Sequence, residues 1–362
     1  MFYHLFTPWA EMFSAFNVFR YVTFRTAYAA LTALLISLLA APRLIRMLQQ
    51  RQIGQVIREE GPQSHYSKAG TPTMGGVLIL GAMLISTLLW ADLTALTVWV
   101  VLLATLAFGA VGFWDDYLKL ARRHNRGFLA KYKFSVELVL ACAVVSWWCV
   151  WAEPEAMATR LSVPFFKSFA PNLGFWGYLP IGVLVIVGTS NAVNLTDGLD
   201  GLAVGPVIIA TFVYAGIAYV AGHAIFSTYL NILHVRGAGE VAVFCGALFG
   251  ACLGFLWFNA YPAQVFMGDV GSLALGGALG VIAVVVKHEL LLLLVGGLFV
   301  IETLSVMIQV VSFKLTGKRV FRMAPLHHHF EEKGWQEPKV IVRFWIVAIM
   351  LALLSLSTLK LR

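Results

Sequence analysis

Of the chain's 362 residues, 60% are hydrophobic and only 12% are charged, against about 25% charged in an average soluble domain. That leaves too little polar surface to cover a water-soluble core of this size, so the composition excludes an ordinary soluble domain and points to an integral membrane protein. The formal net charge of +8 does not mark a nucleic-acid binder, because the basic residues lie between apolar stretches, where they would face anionic lipid headgroups or an acidic ligand.

A spanning helix needs about 20 mostly apolar residues. Ten stretches qualify: 22–42, 73–91, 95–113, 134–153, 175–192, 201–221, 240–259, 270–286, 290–313 and 339–358. The sequence therefore predicts an all-α integral membrane protein of about ten transmembrane helices, forming a single polytopic domain over 1–362. No basic region with a short apolar core and a cleavage site precedes the first span, which is predicted to serve as its own anchor. Only a short polar segment separates the fifth and sixth spans. The ninth is long and contains Glu302, and is predicted to bend. Cys142 and Cys149, and Cys245 and Cys252, are each seven residues apart in apolar runs. That is about 10 Å along a helix, too far for an intrahelical disulfide, and all four read as buried thiols.

Orientation follows from the loops. Those after spans one, three and nine carry 17 of the 26 basic residues, among them Arg43, Arg46, Arg51, Arg58, Lys68, Arg122, Arg123, Arg126 and Lys131. The loops and ends of the other face carry eight, including Arg20, Arg25, Lys167 and Arg362. By the positive-inside rule the richer face is cytoplasmic. Both termini then lie on the periplasmic side, which requires an even number of spans.

The polar residues that interrupt the apolar pattern fall on that same predicted face. "FWDDYLK" ends the third span with Asp115 and Asp116, and Lys119 follows within one helical turn. "NAVNLTDGLDGLA" joins spans five and six and spaces Asn191, Asn194, Asp197 and Asp200 by threes. "FNAYPAQVFMGDVGS" holds Asn259, Phe266 and Asp269 before the eighth span. "APLHHHFEEKGW" follows the ninth and supplies His327, His328 and His329. Each motif alone also fits ordinary cap or turn chemistry; their agreement on one face points to a site. Several carboxylates near one interface repel each other unless a cation neutralises them. Hard oxygen ligands, without a cysteine set or H-E-x-x-H, favour Mg²⁺ or Mn²⁺, completed by substrate phosphates. Carboxylates, a divalent ion and lysines suit phosphoryl transfer, where catalysis is mostly positioning and charge neutralisation. Glu302 lies at intramembrane depth, with Gln309 two turns nearer the cytoplasm. It is either functional or a partner for a neighbouring helix.

These four motifs, in this order and spacing, closely resemble the bacterial phospho-N-acetylmuramoyl-pentapeptide transferases, within the wider polyprenyl-phosphate N-acetylhexosamine-1-phosphate transferases; the histidine loop separates the muramoyl-pentapeptide branch from the others. The resemblance spans essentially the whole chain. It implies transfer of phospho-MurNAc-pentapeptide from UDP-MurNAc-pentapeptide to undecaprenyl phosphate. The products would be lipid I and UMP, with Mg²⁺ as cofactor, in the bacterial inner membrane. It also implies ten spans and often a homodimer. Carried over by position, Asp269 resembles a direct metal ligand, and Asp115 and Asp116 the catalytic pair beside the metal and the lipid phosphate. Lys119 and Lys131 would neutralise phosphate charge. Asn194, Asp197 and Asn259, joined by Thr73, resemble the groups around the nucleoside sugar and diphosphate. Asp200, Lys68 and Phe266 resemble a uracil pocket. His327, His328 and His329 would lie over the muramoyl or diphosphate portion, and the ninth helix around Glu302 would border a groove for the polyprenyl chain. Two routes stay open: direct in-line attack by the lipid phosphate, or an acyl-phosphate enzyme formed first by a carboxylate. A sister transferase acting on UDP-N-acetylglucosamine and an ion-coupled transporter are the rival readings.

Overall fold

The computed structural model describes residues 1–51, 68, 70–122, 127–152, 155–166 and 169–360. Of the basic residues weighed for orientation, Arg58, Arg123, Arg126, Lys167 and Arg362 lie outside these. Among the described residues the regular elements are all helices, joined by turns and irregular segments, with an isolated antiparallel bridge between Arg160 and Asn172. We number the principal helices α1 (Val22–Gln50), α2 (Gly76–Trp90), α3 (Leu96–Arg122), α4 (Ala130–Trp151), α5 (Gly174–Thr196), α6 (Val204–Ala221), α7 (Ala238–Asn259), α8 (Gly268–Val285), α9 (Leu292–Val295 and Gly297–Thr316) and α10 (Glu337–Thr358). Among the described residues, nine of these helices are long and apolar enough to cross a membrane, and α2 is a shorter apolar helix of 15 residues.

Each of the ten expected stretches holds a helix, and among the described residues nine of them reach spanning length; the second, α2, is shorter than the expected 73–91. The ninth is broken rather than smoothly bent: Gly296 separates its two pieces. The short polar segment between spans five and six is a real interruption, since α5 ends at Thr196 and α6 starts at Val204. None of the cysteines is bonded; Cys149, Cys245 and Cys252 are buried and Cys142 is half-buried.

The helices alternate in direction, so the ends of α3, α5, α7 and α9 share one face with the starts of α4, α8 and α10. α8 is the central post. It packs most extensively against α3 and α5, and every residue from Val270 to Val285 is buried. Its Gly- and Ala-rich sequence allows that, because small residues let neighbouring backbones approach closely in a bilayer. Gly112 on α3 is one such contact: a Cβ there would fall 2.0 Å from the Asp269 carbonyl oxygen. The end of α3 is thereby pressed against the start of α8. Asp115 lies 19 residues beyond Leu96, about 29 Å of helical rise, or one hydrocarbon thickness. Helix length alone therefore sets the aspartate pair at a membrane boundary.

Charge also organises the opposite face. Arg25 near the start of α1 is buried and donates to both oxygens of Glu240 on α7, at 2.5 and 2.6 Å. The same carboxylate accepts the Asp92 N–H at 2.8 Å. The first 20 residues form short helices, and their Phe2 and Phe19 join Phe24 and Tyr28 around Trp90 at the end of α2.

Candidate active site

The last turn-and-a-half of α3, the first turns of α4 and α8 and the end of α5 meet at one point. Lys119 reaches Asp115 at 2.9 Å, Asp116 at 3.6 Å and Asp269 at 2.8 Å. A single ammonium thus touches all three expected carboxylates, although 150 residues separate Lys119 from Asp269. Lys133 on α4 adds a second ammonium, 2.9 Å from Asp269 and 3.4 Å from Asp115. Asn194 at the end of α5 donates to the other Asp269 oxygen and to Ser272, both at 2.8 Å. Asp269 also stands in the first turn of α8, where unsatisfied helix N–H groups favour a carboxylate.

The backbone holds the other two aspartates. Asp115 accepts the Phe128 N–H at 2.5 Å, and Asp116 accepts the Val270 N–H at 3.1 Å. Gly268 has φ +72, and a Cβ on it would meet Asp116 at 2.5 Å and the Thr73 hydroxyl at 3.1 Å. Glycine is thus required both by the left-handed backbone and by the close approach of Asp116. Thr73 is placed beside the aspartates by the same packing.

A second group lies around the 260–267 loop. Lys68 donates to Asp200 and to Glu337, each at 2.6 Å. Glu337 also accepts the Asp200 N–H at 3.0 Å, and Asp200 accepts the Ala263 N–H at 2.9 Å. Burial alone would lower the Lys68 pKa, but the two carboxylates outweigh it and raise it above its ordinary value. Phe266 is half-buried, its N–H bonded to the Pro72 carbonyl and its carbonyl to the Gly75 N–H, both at 2.8 Å. Asn259 accepts from the Gly201 N–H at 3.0 Å and donates to the Val265 carbonyl at 2.9 Å, which ties the turn before α6 to the 260–267 loop. Asp197 caps the end of α5. Burial, then the charges of Asp269, Asp116 and Asp200, push its carboxyl up to about 8.

The histidines separate. His327 is buried, with Nδ1 3.2 Å from Glu302 Oε2. His328 is half-buried beside Glu331 at 2.8 Å, and His329 accepts the Arg322 N–H at 3.0 Å. Lys131 is exposed on the first turn of α4, and it is Lys133, two residues on, that enters the carboxylate cluster.

Sequence reasoning placed Lys133 with Lys131 as positive charge near the carboxylates but gave a site role only to Lys131, and it passed over Glu337 and Glu137. Glu137 is a buried carboxylate on α4, one turn deeper than Lys133, and accepts from Asn191 on α5 at 2.5 Å. An ionisable residue inside a predicted span was the available signal for it. Glu337 opens an apolar span two residues before its predicted start, and nothing local marks it.

The donor set fits a hard divalent cation. Three carboxylates already converge on one cationic centre, held by Lys119, and hard oxygens are what magnesium takes. Among the described residues, no group of three His, Cys, Asp or Glu side chains stands ready to hold a metal.

Residues 98–287 match the model of glycosyl transferase family 4. Residues 68–80 match a signature of the phospho-N-acetylmuramoyl-pentapeptide-transferases. Curated proteins of that name from Desulfatibacillum aliphaticivorans and Syntrophus aciditrophicus are 60% and 58% identical over 363 residues, covering 100% of this chain and of each relative. This chain belongs to the phospho-N-acetylmuramoyl-pentapeptide-transferase family. The transferase signature segment runs from Lys68 through Thr73 into the first turn of α2, and so joins the Asp200 group to the aspartate cluster. The family model in turn spans α3 to α8, the helices that bring Asp115, Asp116, Lys119, Lys133, Asn194 and Asp269 together.

Proposed function

We propose that this membrane transferase moves phospho-MurNAc-pentapeptide from UDP-MurNAc-pentapeptide to undecaprenyl phosphate, releasing UMP and forming lipid I. The observation that carries this reading is the meeting of Asp115, Asp116 and Asp269 on Lys119 and Lys133 at one end of the helix bundle. This face carries most of the basic residues and is assigned to the cytoplasm of the inner membrane, where a soluble nucleotide sugar arrives.

Asp269, with Asp115 and Asp116, would hold Mg²⁺, which when bound supplies charge neutralisation for the diphosphate. Lys119 and Lys133 exchange carboxylate contacts for phosphate oxygens and stabilise the charge that spreads in the transition state. Asp115 orients the lipid phosphate. An oxygen of that phosphate attacks the β-phosphorus in line; the bond from that phosphorus to the bridging oxygen breaks, and UMP leaves with the electron pair. One diphosphate bond replaces another, so no second energy source is needed. Direct attack is favoured because the second pKa of a phosphomonoester is about 6, which leaves the lipid phosphate largely ionised without a covalent relay. Lys68, Asp200 and Phe266 are assigned to the uracil, and Asn194, Asp197 and Thr73 to the sugar and diphosphate.

The test is purified protein with undecaprenyl phosphate and either UDP-MurNAc-pentapeptide or UDP-N-acetylglucosamine. UMP release with the first and none with the second is expected. The reverse pattern would overturn the substrate assignment.

A further inference from the structure

We infer that Glu302, deep in α9, is a positioning residue that acts through His327 on the Asp197–Asp200 turn. This deepens the proposed function, because it rests on that turn serving the nucleotide-sugar pocket.

Glu302 and His327 are both fully buried, at 0% exposure, and 25 residues apart in the chain. The carboxylate oxygen Oε2 faces Nδ1 of the imidazole at 3.2 Å. This contact sets the plane of the ring. The far edge of that ring is pressed on Gly198. A Cβ at Gly198 would lie 2.3 Å from His327 Nε2, 3.1 Å from Cε1 and 3.2 Å from Cδ2. The imidazole is therefore a wedge between the bilayer-spanning helix and the turn that carries Asp197 and Asp200.

The surroundings couple the same parts. Leu199 and Leu202 of the turn share a small apolar cluster with Leu298 of α9 and Phe344 of α10, against which Leu326 and Phe330 of the short helix Leu326–Glu331 pack. Gln309, two turns along α9, accepts the Val320 and Phe321 N–H groups at 3.0 and 2.9 Å and so ties down the segment leading to His327. Among the described residues, neither Glu302 Oε1 nor His327 Nε2, both buried, has a hydrogen-bond partner. The backbone N–H groups of Asp200 and Gly201 are held by Glu337 and Asn259, so their protection reports on the turn directly.

The experiment compares wild type, Glu302→Gln and Gly198→Ala in detergent. The two variants disturb the wedge, one from behind and one from in front. Amide exchange over residues 197–202 should rise in each. The KM for the nucleotide sugar should rise about tenfold, the effect of roughly one neutral hydrogen bond, while the KM for undecaprenyl phosphate stays within about twofold. General destabilisation would lower kcat and leave both KM values unchanged, and that pattern overturns the inference. So does unaltered exchange over 197–202 in Glu302→Gln. If wild type releases no UMP from the muramoyl nucleotide, the proposed function fails on its own, and the exchange measurement still decides whether Glu302 holds the turn.

Discussion

Asp197 and Phe266 carry the sharpest consequences at the scale of single residues. The Asp197 carboxyl is pushed up to about 8, whereas an unfolded aspartate releases its proton near 4. Between these values the folded chain binds more protons than the unfolded one, so this residue makes stability fall as pH rises from about 4 to about 8. Asp197→Asn should remove that fall: thermal midpoints of wild type and variant should be closer at pH 5 than at pH 8.5, with the variant the more stable at the higher value. Phe266→Ala tests a different property. Stacking of a base on an aromatic ring is worth about 1–3 kcal/mol, so the KM for the nucleotide sugar should rise more than kcat falls. Steady-state kinetics with the nucleotide varied separate the two, and a kcat effect alone would remove the ring from base recognition. Asp115, Asp116, Asp269 and Lys119 were legible in the sequence because acidic residues at the ends of apolar spans need a reason. Lys133 and Lys131 were not separable there: both open α4, and only the helix phase turns Lys133 into the cluster and leaves Lys131 exposed.

Among the elements, apolar length predicted where helices lie but not how they end or break. The helix positions were legible because apolar runs of bilayer length have few alternatives. The break at Gly296 was not, since a glycine in an apolar run is common in membrane helices and packing decides whether the backbone opens there. Buried charge was the other hidden feature. Arg25 sits in the first turns of α1 and Glu240 in the first turn of α7, 215 residues away, and no local pattern links them. Their bidentate contact pins α1 and α7 to the loop at Asp92. Removing one partner leaves an uncompensated buried charge, which typically costs about 3–5 kcal/mol. Arg25→Ala should therefore lower the unfolding midpoint in detergent markedly, and Arg25→Ala with Glu240→Gln should recover part of the loss. Equal midpoints for all three proteins would show that the pair does not support the packing of α1 on α7.

For the whole molecule, the fold works by alternation. Antiparallel helices deliver residues 68, 115, 119, 133, 194 and 269 to one end, and α8, buried on every side, fixes the depth at which they meet. The acidic cluster is tolerated because two lysines and the start of α8 offset its charge. The same arrangement suits a divalent ion and a diphosphate that replace the lysine contacts during turnover. The most direct test is UMP release by one purified preparation, titrated with Mg²⁺, in wild type and Asp269→Asn. The account predicts a saturable requirement for Mg²⁺ in wild type and a loss of at least about 10²-fold in the folded variant. Full turnover without a divalent ion, or a near-normal rate in Asp269→Asn, would contradict it.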